Sequence, residues 1–479
     1  MIERLFRRPT PAGLAPAMPG GLPWLGHAYE FWRRPIELLQ QGRERYGDAW
    51  RFRLSGREVT SLSGPKANKA FFHAPPDVLS ARECYQFTVP VFGQGVAYDV
   101  TTDVMDQQLA LVHPALSDKR MRTYAQIMAQ EAEGYLARWG DHGQVDLFEA
   151  TQDLTMFIAT RCLLGEEIRK HLTTDFARLY HDLDGGMNLL AYFLPNAPLP
   201  AFRRRDRARA DVQKLLSKVM AERVREGGAA PHEDFLQTLM DARYEDGTAL
   251  PEHVISGMLL TLIFAGQHTS AVLAAWSGIL LHQHPQYLPA ILGELDDVFG
   301  GGAEISVESL RRCVALDRAV KEAERMRPPL VMLMRMVLKD MDYAGTTLPA
   351  GSLAMVSPAV SHRIPEIFKN PHAYDPDRFA PGREEDKQAL YTLIGFGGGK
   401  HRCIGMVFAY QQVKAIWATI LRSFEIELLD PDYRPNYSTF VVGPHQPCRI
   451  RYRRRKRASV SVPGVPDKDG KAAEMGAIA

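Results

Sequence analysis

The sequence is short of cysteine, of net charge and of segments that export or anchor a chain. Five cysteines stand among 479 residues, at 84, 162, 313, 403 and 448. Odd in number, far apart and free of CxxC pairs, they argue against a disulfide framework or a zinc module and suit a reducing compartment. A cysteine with a special task must act alone. Basic residues number 58 against 56 acidic, too even a balance for a nucleic-acid footprint. The one dense basic run, RIRYRRRKR at 449–457, reads as a solvated C-terminal strand edge, with a docking or membrane-surface patch as the second reading. No apolar h-region or spanning segment opens the chain, so neither secretion nor a bitopic anchor is expected. A soluble, cytoplasmic protein with at most peripheral membrane contact follows as the expectation.

What is present is globular. With 46% hydrophobic and 24% charged residues, the chain can bury a large core and is neither disordered nor fibrous. Apolar residues recur at helical spacing over 125–139, 151–165, 206–226 and 405–423, whereas AWRFRL, EVTSLSG and LAMVSP read as short strands. The expected fold class is mainly α with a small β-sheet region (α+β). Residues 1–25 read as an extended Pro/Gly arm, 26–457 as a single domain, and the Pro/Gly/Ala-rich 458–479 as a flexible linker or disordered tail.

The longest uncharged stretch, VISGMLLTLIFAGQHTSAVLAAWSGILL at 254–281, is long enough to cross a bilayer, roughly 40 Å as a helix. Its centre, AGQHTS at 265–270, sets an amide, an imidazole and two hydroxyls where hydrocarbon would penalise them. The segment therefore reads as a central helix buried in protein, its polar midpoint facing a cavity or simply satisfied within the core. A second stretch, GFGGGKHRCIG at 395–405, runs into an amphipathic helix pattern. Cys403 then sits at a helix N-terminus, where free amides and the dipole favour a thiolate. The glycines allow a flat object to approach the backbone, and His401 and Arg402 offer cationic or donor groups. A phosphate loop would want Lys-Ser/Thr here; a planar, carboxylate-bearing metal macrocycle fits the residues present.

With Phe396, Gly397, Gly399, Cys403 and Gly405 in this spacing, the loop resembles the cysteine-ligand loop of the cytochrome P-450 haem-thiolate monooxygenases. KEAER at 321–325 and DPDRF at 375–379 are similar to the same family's Glu-x-x-Arg helix and its distant arginine. The resemblance implies a structural lock of Glu322, Arg325 and Arg378. Within the family the chain most resembles the sterol 14α-demethylases. YQFTVPVFGQGVAYD at 85–99, AGQHTS, LDGG at 183–186, PNAPLPAFRRRDRAR and VVGPHQPCRIRYRRR are similar to segments of that branch, in the same order.

That resemblance implies a haem-thiolate fold with haem b (iron protoporphyrin IX) on Cys403, dioxygen as co-substrate, and removal of a 14α-methyl group from a lanosterol-like sterol through alcohol and aldehyde to formate. It implies haem contacts at Tyr85, Arg335, His401, Phe396 and Gly397, and proton delivery by Thr269 and His268 where a kink would expose them. Substrate contacts are implied at Phe87, Val89, Phe92, Phe264, Ala265 and Leu333. No flavin or nicotinamide motif is visible, so the electrons are expected from a ferredoxin and ferredoxin reductase, or from a ferredoxin domain fused beyond Ala479. Two departures stand out. The segment DQQLALVHPALSDKRMR at 106–122 lacks the family's Trp-x-x-x-Arg and the branch's lysine, leaving Gln107, Gln108 and His113 as substitutes. Phe87 suggests a preference for C4-monomethyl sterols. A hydroxylase of another lipid or terpenoid, a non-catalytic haem sensor and a cysteine-nucleophile hydrolase remain as other readings.

Overall fold

The structure is a computed structural model that describes residues 13–455 except 167–168, 170–172, 188–190, 192–193, 227–233 and 431. The tail at 458–479 and the start of the arm lie outside the described residues. The helices that position the site are α1 (Asp118–Leu136), α2 (Leu147–Leu164), α3 (Thr173–Asp184), α4 (Pro200–Glu226), α5 (Glu252–Gln283), α6 (Val314–Met326) and α7 (Met406–Ser423). Their starts follow local chemistry. Asp146 caps α2, its carboxylate accepting from the amides of Phe148 at 2.9 Å and Glu149 at 3.0 Å. α4 begins on Pro200, a residue already shaped for a first turn.

α5 is apolar all round and is therefore enclosed: α2, α4, α6 and α7 pack against it. α5 and the segment Gly399–Ser423 are both long and apolar enough to cross a membrane, yet both pack into the protein interior, as the sequence of α5 led us to expect. Trp417 of α7 donates its indole N–H to the carbonyl of Ala274 on α5 at 2.8 Å, fixing how these two helices meet.

Among the described residues the strands form sheets of five, three and two. In the first the order is β1 (Ala49–Leu54), β2 (Arg57–Leu62), β8 (Leu353–Val356), β5 (Leu333–Val337), β3 (Leu79–Ser80). The β2–β8 pair is parallel and the others antiparallel. The arm follows this sheet: the amide of Arg51 donates to Pro16 O and that of Met18 to Arg51 O. In the second sheet, β10 (Arg449–Arg454) lies between β4 (His142–Asp146) and β9 (Phe424–Leu428). The basic run is thus a central strand and not an edge. Its arginines do reach solvent, where Arg451 and Arg453 pair with Glu427 and Glu425 of β9, so the local charge cancels. The two-stranded sheet pairs β6 (Met341–Tyr343) with β7 (Thr346–Leu348).

Candidate functional site

Cys403 is the one cysteine with exposed surface; Cys84, Cys162, Cys313 and Cys448 are buried. Burial nonetheless dominates its electrostatics: it pushes the thiol up, and the opposing hydrogen bond from the Gly405 amide is the lesser influence. The amide at the helix start acts in the direction expected from sequence, against a larger effect of burial. A bound metal cation would supply the missing charge and deprotonate the thiol outright. The loop is held by its own backbone. Gly397 adopts a φ of 71°, a value that favours glycine. The amide of Cys403 donates to Phe396 O at 2.8 Å.

Beside the loop a group of polar side chains lacks an anion. Arg335 on β5 is 6% exposed. Its guanidinium donates to Met334 O at 2.8 Å and lies over the Phe71 ring, and among the described residues it forms no ion pair with a carboxylate. Such a buried cation wants one. Burial and then Arg335 hold His401 down at about 4, so His401 is a neutral donor and the positive charge belongs to Arg335. Tyr85 accepts from the amide of Met334 at 3.1 Å and stacks near Tyr98 at 5.0 Å; burial raises both phenols, with Arg335 opposing. Phenol and imidazole donors around an unpaired guanidinium fit the carboxylates of a haem. The substitutes proposed from 106–122 do not join them. Gln108 donates to Gly95 O at 2.8 Å, Gln107 accepts from the amide of Glu245, and His113 is exposed. Asp106 is the residue of that segment whose charge reaches His401.

Above the loop, α5 carries an exposed Ala265 between Phe264 at 4% and Gln267 at 2% exposure. In a buried helix this marks a cavity wall, and a Cβ at the adjacent Gly266 would meet nothing within 4 Å. Ile404, next to Cys403, packs against the cluster that contains Phe264 and Phe92, which brings loop and helix midpoint to one cleft. The helix runs unbroken through this point: Thr269 Oγ1 donates to Ala265 O at 2.6 Å, the back-bond that bends a helix without breaking it. His268 Nδ1 lies 3.8 Å from Asp184 Oδ1 at the end of α3. Asp184 was not singled out from sequence; it stands in the LDGG segment, where a Cβ at Gly186 would strike Arg205 at 2.3 Å.

Two aromatic groups gather the residues expected at the substrate. Phe87 meets Phe440 at 5.7 Å and Tyr85 at 6.1 Å. Phe264 stacks on Tyr180 at 4.1 Å and meets Phe92 edge-on at 5.9 Å. Val89 starts the short helix Val89–Phe92 that joins them. Leu333 packs instead with the sheet-side cluster around Phe71 and Phe72. Phe440 and Tyr180 come from segments whose local pattern says nothing of the site.

Beneath the loop, Glu322, Arg325 and Arg378 are each 0% exposed. Glu322 receives Arg325 at 2.7 and 2.8 Å and Arg378 at 3.0 Å. The structure adds Glu385, which takes Arg378 at 2.5 Å and Arg383 at 2.7 Å. It adds His362 as well: its Nε2 accepts from the amide of Ile394 at 2.8 Å, and its ring lies 3.3 Å from Arg325 O. A cleft of about 900 Å3 opens behind the loop, bordered by Phe396, Gly397, Arg402 and Tyr410 and not by Cys403, Ala265 or Thr269. Phe396 and Gly397 thus also face away from the thiol side.

The sequence model of the family Cytochrome P450 matches residues 16–449. A protein of Arabidopsis thaliana named Sterol 14-demethylase is 39% identical over 92% of this chain and 92% of its own. Sterol 14alpha-demethylase of Mycolicibacterium vanbaalenii is 38% identical over 92% and 98%, and Lanosterol 14-alpha demethylase of Bos taurus 38% over 94% and 89%. The structure of retinoic acid-bound cyanobacterial CYP120A1 superposes with a TM-score of 0.81 over 93% of this chain and 100% of that one, at 23% identity, a likeness of fold.

Proposed function

The chain belongs to the cytochrome P450 family, and from that premise we propose that it removes the 14α-methyl group of a lanosterol-like sterol, releasing the carbon as formate. As a family member it is a haem-thiolate monooxygenase that uses haem b and dioxygen. When bound, the haem supplies oxygen activation and insertion; the protein supplies the ligand, the protons and the orientation. Cys403 would hold the iron, with Arg335, Tyr85 and His401 on the propionates. The observation that carries the sterol reading is the match, over nearly the whole of each chain, to several sterol 14-demethylases.

The geometry supports it. Phe87 and Phe440 on one side and Phe92 and Phe264 on the other make a slot for a flat hydrocarbon, with the small Ala265 between Phe264 and Gly266 leaving room for the methyl group to approach. Thr269 Oγ1, tied by its own hydrogen to Ala265 O, is left to accept a proton-bearing partner and hold it in place. His268 between the cleft and Asp184 can carry protons inward. Electrons would come from a ferredoxin and its reductase.

Replacing Asp184 with Asn should leave sterol binding intact and lower product formed per electron consumed by up to about 10²-fold, since the imidazole loses its proton source. Equal coupling in the variant and the parent would remove Asp184 and His268 from proton delivery.

The direct test is turnover of lanosterol and of a C4-monomethyl sterol with a surrogate ferredoxin and reductase, read by mass spectrometry. The 14-demethylated sterol and formate are expected, faster for the monomethyl sterol; a single methyl group in a pocket is worth about 10-fold or more in rate, and Phe87→Ala should erase most of that ratio. No product, despite a thiolate-type carbon monoxide spectrum and demonstrated iron reduction, would sink the sterol reading in favour of another lipid substrate.

A further inference from the structure

Behind the ligand loop, on the side that substrate and oxygen do not reach, sits a buried acid and phenol. Glu324 on α6 is 3% exposed. Its Oε2 accepts from the Tyr410 hydroxyl of α7 at 2.5 Å. Among the described residues no cation pairs with Glu324: Lys321 is ion-paired to Asp386 at 2.5 Å, and Lys414 to Asp317 at 2.7 Å. The pair presses on the loop from two directions. A Cβ at Gly395 would fall 2.0 Å from Glu324 Oε1, so the carboxyl occupies the space where that side chain would begin. The Tyr410 ring lies 5.3 Å from the Phe396 ring, and Phe396 O is the acceptor for the Cys403 amide. Glu324 and Tyr410 both border the cleft of about 900 Å3 behind the loop, which gives the carboxyl its own access to water.

We propose that Glu324, held by Tyr410, is a positioning residue for the Cys403 loop and a removable negative charge behind the thiolate, so that reduction of the metal centre is linked to proton uptake at this carboxyl. The electron is the one delivered by the redox partner that the monooxygenase activity already requires. The proton comes from water in the rear cleft, and at most one is taken up per electron. A carboxylate behind an anionic ligand disfavours an added electron, whereas the neutral acid does not, which is the charge and hydrogen-bond lever by which a protein sets a haem potential.

The position of the titration supports the geometry. Burial pushes the Glu324 carboxyl up to about 7; the Tyr410 hydrogen bond and Lys321 oppose this, and Asp386 adds to it. Of the other charged groups near the pair, Asp317 and Asp386 act on Tyr410, Asp118, Arg122, Arg311, Lys387 and Arg402 line the same cleft, and the Gly395–Gly397 backbone carries no charge.

The test is a spectroelectrochemical titration of the purified holoenzyme from about pH 5.5 to about pH 8.5. The parent should show a midpoint potential that falls as pH rises through the Glu324 titration. Glu324→Gln should remove that step. Tyr410→Phe should move it to higher pH, because the lost hydrogen bond favoured the charged form. A step unchanged in both variants, or absent from the parent, would overturn the proposal.

Thermal melts give a readout free of iron. A buried acid raised from 4.5 to about 7 binds its proton more tightly folded than unfolded, so its contribution to stability is lost as pH rises across that window. Glu324→Gln should therefore melt level with the parent near pH 5 and above it near pH 8. Melting below the parent at both would mean that Glu324 is only packing, and would overturn the proposal equally.

Discussion

Replacing Cys403 with alanine is expected to abolish the thiolate-type carbon monoxide spectrum and all monooxygenase turnover while leaving the fold standing. The fold should survive because the side chain is exposed to the cleft and the loop is closed through the backbone, Cys403 N–H to Phe396 O. An alanine keeps that bond, and substitutions outside the packed core usually cost within about 0.5 kcal/mol. Turnover should fall to background because no neighbouring side chain replaces the electron donation of a thiolate. Far-UV circular dichroism, a melt and the reduced carbon monoxide difference spectrum read all three consequences from one preparation. A variant that kept the thiolate-type spectrum would move the ligand elsewhere and undo the site.

The second large effect is the opposite in kind. Replacing Glu322 with alanine should leave the substrate cleft untouched and yet prevent a stable holoenzyme. The carboxylate is the shared acceptor of Arg325 and Arg378 and of the Asp375 amide, at 2.7 to 3.0 Å, with both guanidinium groups fully buried. Removing one partner of a buried pair costs about 3–5 kcal/mol, because a charge is left without compensation. Against a folding stability of about 5–15 kcal/mol that is a large part of the whole. Soluble yield, melting temperature and haem content should fall together. A variant that melts with the parent would show that Arg325 is satisfied by its backbone acceptors and Arg378 by Glu385 and its backbone acceptors.

The readable part of this protein was the part written in consecutive residues. The ligand loop at 395–405, the apolar helix with its polar centre, and the strands AWRFRL and LAMVSP all announce themselves through local spacing, and each stands in the structure where the sequence puts it. What could not be read is what the fold assembles from distant segments. Asp184 reaches His268, Glu385 extends the Glu322 lock, and Phe440 completes the wall with Phe87. None lies in a periodic pattern that marks it.

Some expectations failed for physical reasons. Gln107 and Gln108 were offered as partners for the haem carboxylates, but the Glu245 amide and the Gly95 carbonyl already engage them. The run at 449–457 was read as an edge because its charges are solvated; solvation decides which face is wet, not which strands lie on either side.

The histidine under the loop has a consequence for how the cofactor enters. Burial, with Arg325 and Arg363, holds His362 at about 3, so through the working pH range its ring stays neutral and keeps its grip on the Ile394 amide. The segment that carries Cys403 is thus anchored by the lock beneath it, whose charges are all paired, and not by the iron. A loop anchored in this way has little freedom left to lose on binding the macrocycle, which is how a rigid receptor gains affinity. Exchanging the iron for another metal would alter the chemistry performed without altering where it is performed.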